Sequence, residues 1–279
     1  VDLSQLFIST TYSAKLSETS SWGISGIVAY QRFEAKGLGN FAAFSTDPDN
    51  LTNNDHDTST GIGVRFGYQA EISPGFRFGA SYQPKIQMSE FDDYSGLFAE
   101  DGDFDIPSTY TIGISVDVGQ NGVVVADVQR INYEDVDAIS NSIDPLVDGS
   151  CAANPFTGGT GDGCLGGSDG AGFGWEDMVI FKIGYQWQNG KNIWRLGYSK
   201  GDQPIPSSEV TFNILAPGVI EEHFTFGFTR QMDSDSSIDF AAMYAPSNSV
   251  DGTSTFDPNQ EIELEMYQYE LSLSYNRRL

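Results

Sequence analysis

No stretch of about 18 uncharged apolar residues occurs in the 279-residue chain, which excludes a helical membrane span. Positive charge is also scarce: 14 Lys and Arg stand against 39 Asp and Glu, for a net charge of −25. Without a basic stripe there is nothing to bind phosphate, so nucleic acid is excluded as a partner. Only two cysteines are present, Cys151 and Cys164, with twelve residues between them in a Gly-rich stretch. In an oxidising compartment they are expected to pair; the alternative is two unrelated free thiols. The two histidines, His56 and His223, have no motif-spaced nucleophile or metal ligand nearby, so the chain is not expected to be an enzyme. Val1 is not an initiator Met and no charged-then-apolar leader precedes it, so the chain is expected to be processed or incomplete.

What the chain has is glycine, aromatics and alternation. Thirty-one Gly, 13% aromatic residues and 19% charged residues describe many turns and many half-apolar strands. Phe224, Phe226 and Phe228 alternate with Thr225, Gly227 and Thr229; Tyr267, Tyr269, Leu271, Leu273 and Tyr275 alternate with Gln268, Glu270, Ser272, Ser274 and Asn276. This period of two predicts eleven strands, at 3–16, 22–35, 59–72, 76–90, 108–118, 123–133, 175–188, 192–201, 219–232, 237–249 and 262–277. Turns at 17–21, 73–75, 119–122, 189–191 and 233–236 are short; connections at 36–58, 91–107, 134–174, 202–218 and 250–261 are long. Strict short-long alternation predicts one all-β domain, an antiparallel up-and-down transmembrane β-barrel of the bacterial outer membrane, with tight periplasmic turns and extended outer loops. Eleven is odd, whereas a complete barrel has an even number of strands and both termini in the periplasm. An odd number of strands is therefore expected before Val1, supplied by a missing N-terminal segment of the same barrel.

Charge sorts with this division. From residue 37 onward the five long loops hold twenty-two of the thirty-nine acidic residues and no Lys or Arg. Two readings stay open: a solvated acidic surface, or loops that bind divalent cations such as calcium and so bridge to lipopolysaccharide. Asp101, Asp103 and Asp105 have a calcium-loop-like spacing, but Ile112 stands where such a loop carries its twelfth-position Glu. Otherwise no cofactor is expected.

Several blocks resemble FadL-type outer-membrane transporters for long-chain fatty acids and other hydrophobic compounds. They are VDLSQLFISTTYSAKL at the start, RFGASYQPKIQMSEFDDYSGLFAEDGDFDIPSTYTIGISVDV from Arg77, WEDMVIFKIGYQW from Trp175 and WRLGYSKGDQPIPSSEVTFNILAPGVIEEHFTFGFTRQM from Trp194. The resemblance covers essentially the whole chain. It implies a fourteen-stranded barrel with an N-terminal plug, of which eleven strands are present and the plug and the sideways-opening early strand are not. Leu279, after Tyr275-Asn276-Arg277-Arg278, replaces the usual terminal Phe of barrel-assembly signals. The resemblance also implies a substrate-capture groove between two outer loops. The matching loops carry Leu38, Phe41 and Phe44, and Phe91, Tyr94, Leu97, Phe98 and Phe104. These residues are expected to form an exposed apolar contact surface or to pack together as a cap on the barrel, and the two are compatible. By alternation Arg65, Arg77, Lys85, Lys182 and Arg195 face inward, and Arg65 and Lys182 near mid-height are the candidates to hold a carboxylate, unless they pair with Glu71, Asp117 or the plug. The expected function is uptake of long-chain fatty acids or other hydrophobic molecules. The alternative is a general diffusion porin or adhesin-like barrel with cation-binding acidic loops.

Overall fold

The computed structural model describes residues 1–277; Arg278 and Leu279, the end of the stretch compared with barrel-assembly signals, lie outside the described residues. Alternating side chains give eleven strands: β1 (Asp2–Lys15), β2 (Ser20–Glu34), β3 (Asp57–Ser73), β4 (Phe76–Gln83), β5 (Ser108–Val118), β6 (Gly122–Asn132), β7 (Met178–Asn189), β8 (Asn192–Gly201), β9 (Glu222–Gln231), β10 (Ser236–Thr253) and β11 (Glu261–Arg277). Each is antiparallel to its neighbour, and they form one sheet in chain order with β1 and β11 at its edges. Short-range connection of consecutive strands is what an up-and-down wall requires.

Register carries one apolar row from strand to strand. Ile8 pairs with Val28 and Val28 with Ile62; Ile112 pairs with Val128 and Val128 with Phe181; Ala242 pairs with Leu271. Apart from half-buried Ala242 these side chains are exposed, Ile62 by 81% and Leu271 by 75%, as is Leu273 by 75%, so the row is an outer face and not a core. Aromatic rings edge this face at two levels. Tyr12 meets Trp22 (6.0 Å) and Trp187 meets Trp194 (6.1 Å) near the short turns, and Tyr198 meets Phe224 (5.1 Å) and Tyr244 meets Tyr269 (5.0 Å) toward the long loops. Tyr267 and Tyr275 on β11 are about 27 Å apart along an antiparallel strand, or roughly 20 Å along a bilayer normal at a tilt near 40°. That is close to the ~25 Å apolar band of outer-membrane barrels. The alternate row, with Gly63, Arg65, Gly67, Ser81, Thr111, Gly113, Gly184 and Gly197, is small and polar. No helix among the described residues is long and apolar enough to cross a membrane.

The predicted strand 76–90 is corrected to β4 ending at Gln83. Pro84 supplies no N–H for a ladder, and the chain then turns onto the polar face of β2 and β3 as a strap. Ile86 and Met88 cluster there with Ile27, Ala29 and Ile106, and the Ile86 and Ile106 backbones exchange hydrogen bonds of 2.9 and 3.1 Å. Gly61 and Gly63 make room: a Cβ on Gly61 would lie 2.5 Å from the Gln87 carbonyl, and one on Gly63 2.6 Å from Ile86. Gly61→Ala therefore has to push the strap off the wall, at a cost of about 1–3 kcal/mol. The expected result is faster hydrogen exchange at the Ile86 and Ile106 amides with the β5–β6 ladder unchanged.

The long connections fold over one rim as a cap of short helical turns, among them Gly39–Phe44, Asp92–Tyr94, Ala99–Gly102, Asp137–Ser140 and Val210–Asn213. Buried Glu209 ties two of them together, accepting from the Ile143 N–H (3.0 Å) and the Ser142 hydroxyl (2.9 Å). Cys151 and Cys164 are disulfide-bonded, and Cys164 is fully buried beside Leu51, Ile143, Leu146, Leu165 and Phe212.

Candidate ligand-entry site

The aromatic loop residues are interior. Phe91 and Tyr94 are fully buried, Phe98 is 4% exposed, and Phe41, Phe44, Leu97 and Phe104 are half-buried, so of the two arrangements expected from the sequence the residues adopt the packed cap and not an open contact surface. Apolar side chains on a loop near a rim shed water against each other when a strand end supplies a common anchor. That anchor is Phe33 at the top of β2, whose ring lies 5.7 Å from Phe91, 4.8 Å from Tyr94 and 4.8 Å from Phe98. Phe104 packs on Phe98 at 4.7 Å. Tyr94 locks this loop to its neighbour: its hydroxyl donates to the Asp55 carbonyl (2.6 Å) and accepts from the Ala35 N–H (3.1 Å). Burial pushes the Tyr94 phenol up, which keeps it protonated as that donor.

Within the cap lies an apolar cavity of about 30 Å³. Four of the eight predicted capture residues line it, namely Leu38, Phe41, Leu97 and Phe98. Phe91, Tyr94 and Phe104 stand behind them in the same cluster, and Phe44 turns away to Phe256 (5.8 Å). The rest of the lining includes Phe33, Leu165, Phe173, Phe212 and Leu215, which sequence reasoning missed. The run Val210-Thr211-Phe212-Asn213-Ile214-Leu215 carries a signal that could have found two of them, since four apolar residues in six are unusual for a solvated loop. No lining side chain bears a charge or a hydrogen-bonding group.

On the polar face the five expected inward cations divide. Arg77 forms a two-point ion pair with Asp117 (2.7 and 2.9 Å). Lys85, expected on a strand, sits instead on the strap and pairs with Asp105 at 3.0 Å. Arg65 donates to Gln83 (2.7 Å), Lys182 to Gln129 (2.6 Å) and Arg195 to Gln186 and Thr229 (2.8 Å each). Among the described residues no carboxylate lies within 4.0 Å of Arg65 or Lys182; Asp117 is taken by Arg77, and Glu71 accepts from the Gly75 N–H. His56 contacts Asp2 and Glu34, and among the described residues no group of three or more His, Cys, Asp or Glu could hold a metal, the set Asp101, Asp103 and Asp105 included.

The architecture is thus an antiparallel up-and-down wall with an apolar outer face, a polar inner face and a loop-built cap. That fold is shared with solved hydrophobic-compound channels. The toluene transporter TodX of Pseudomonas putida is similar over 99% of this chain and 69% of its own, with 17% identity and a TM-score of 0.63. A Pseudomonas aeruginosa FadL homologue is similar over 99% and 68%, with 12% identity and a TM-score of 0.60. The CymD monoaromatic hydrocarbon channel is similar over 99% and 74%, with 15% identity and a TM-score of 0.58. No family model and no curated protein matches the sequence.

Proposed function

We propose that this chain forms the wall and cap of a bacterial outer-membrane channel that takes up small hydrophobic molecules without covalent chemistry. The observation that carries the reading is the cap cavity, lined by apolar side chains and set at the rim of a polar-faced wall. Apolar burial contributes about 0.8 kcal/mol per CH₂, so such a lining concentrates an oily ligand without charged help. A cavity of about 30 Å³ has room for about one water, so a ligand enters by moving cap side chains aside. Solved transporters for toluene and a monoaromatic channel with this fold support the reading. In this view lipid covers the outer face, and lipopolysaccharide meets the acidic loops through divalent cations. The edges of β1 and β11 would leave unpaired backbone groups in hydrocarbon at several kcal/mol each, so further strands of the same barrel pair with them.

For a long-chain fatty acid, the head group adds a requirement that Arg65 and Lys182 meet, since neither is spent on a carboxylate. The test compares oleate with uncharged oleyl alcohol, each titrated into the purified chain in detergent. Arg65→Gln combined with Lys182→Gln is expected to weaken oleate about tenfold, or ~1.4 kcal/mol, and to leave the alcohol unchanged. Equal weakening of both, or of neither, would remove the two cations from the site. A general diffusion porin would show no saturable binding of either ligand.

A further inference from the structure

We propose that Gln31 is the recognition group of the ligand entrance and that it selects hydrophobic molecules carrying a neutral hydroxyl. The proposal rests on the reading of the cap as the place where ligand enters. Toward the top of β2 the inward-facing residues are Ile27, Ala29, Gln31 and Phe33, all buried, whereas Val28, Tyr30 and Arg32 between them are exposed. Gln31 is the one polar side chain of that row. It is 0% exposed, and among the described residues neither its Oε1 nor its Nε2 has a hydrogen-bond partner. A carboxamide shut away from water without a partner is costly, and such groups are rare in folded proteins.

The ladder neighbours do not serve it. Ser59, opposite on β3, is fully buried and gives its hydroxyl hydrogen to the Ser89 carbonyl; Gln5, opposite on β1, is exposed. On one side of Gln31 in its row, Phe33 lines the cavity and belongs to the cap cluster with Phe91, Tyr94 and Phe98; on the other, Ala29 belongs to the strap cluster with Ile86, Met88 and Ile106. The Tyr94 hydroxyl is already engaged with Asp55 and Ala35. Successive residues on one strand face are about 7 Å apart, so the amide stands at the seam between cap and strap, one step past the cavity wall. A ligand that leaves the cavity along β2 toward the polar inner face crosses that seam.

The amide's chemistry names the group it fits. Oε1 accepts and Nε2–H donates, and a hydroxyl answers both, giving its hydrogen to the first and a lone pair to the second. A carboxylate only accepts, so it would bring a buried charge against Oε1. A cation free to hold that charge is distant: Arg65 stands opposite Ser25, roughly 20 Å along the strand from Gln31. A bare hydrocarbon leaves the amide unpaired. The cavity thus admits on hydrophobicity, and the seam beyond it discriminates on hydrogen bonding, where a site built for a hydroxyl rejects the analogue that lacks one.

Displacement of bound N-phenyl-1-naphthylamine from the detergent-purified chain tests this with two competitors, oleyl alcohol and the C18 alkene that lacks its hydroxyl. Partition into micelles is the same for every variant, so it cancels when the alcohol-to-alkene affinity ratio is compared between proteins. Gln31→Leu and Gln31→Met keep the bulk and remove the amide. Each is expected to lower the ratio about tenfold by weakening the alcohol, with the alkene bound as tightly as before or more so. Without ligand, both variants should unfold at a temperature no lower than that of the wild type, since neither loses a hydrogen bond. An unchanged ratio, or an alkene weakened as much as the alcohol, would overturn the proposal alone. A lower unfolding temperature in both variants would also overturn it, by showing that the amide is partnered in the resting protein. Failure of both competitors to displace the probe from the wild type would overturn the entrance reading and the proposal with it.

Discussion

Phe98→Asp is expected to abolish measurable capture of a hydrophobic ligand while leaving the strand ladder intact. The ring is 4% exposed and sits among Phe33, Phe91 and Phe104 at 4.7–6.1 Å, so its loss forfeits about 3–5 kcal/mol of cap packing. The carboxylate that replaces it meets apolar side chains, and a charge placed among them adds to the loss. The cap is built from connections, whereas the ten strand pairings run below it. Far-UV circular dichroism should therefore keep its β signal while oleate affinity falls more than tenfold. Retained affinity would show that ligand does not pass this cavity.

Cys151→Ser with Cys164→Ser is expected to loosen the roof of the same cavity. Closing a loop with a sequence separation of 13 contributes about 3 kcal/mol in the chain-entropy view, and two hydroxyls placed in an apolar cluster cost more. Leu165 and Phe212 belong both to the cluster around the disulfide and to the cavity lining, so the disturbance reaches the ligand. Limited proteolysis should cut between 145 and 170 in the double variant at protease levels that leave the disulfide-bonded chain whole, and oleate should bind more weakly. Equal resistance would mean that packing alone holds this loop.

The wall was legible because a lipid-facing strand writes its environment into every second residue. Legibility failed where that pattern outlived the wall. Lys85, Ile86, Gln87 and Met88 continue the alternation of β4, but Ile86 and Met88 point at Gly61, Gly63 and Ile27 on the inner face. Periodicity gives a segment two faces and does not name what covers them; Pro84 marked the break. The capture residues were visible as aromatics in polar loops. Their packing as a cap was one of two open readings, but their partners were not visible, because Phe33, Phe173, Phe212 and Leu215 arrive from elsewhere in the chain. Asp103 and Asp105 were visible as a spaced acidic pair and suggested a cation site. The cation beside them is the ammonium of Lys85, placed there by the turn at Pro84.

In the proposed function an apolar cavity in the cap admits a hydrophobic molecule to the channel. Equilibrium binding of labelled oleate to the detergent-purified chain, with Phe98→Asp as the paired control, tests it most directly. Saturable binding by the wild type and a more than tenfold loss in the variant is the predicted result. Absence of saturable binding, or equal affinity in the two chains, would contradict it.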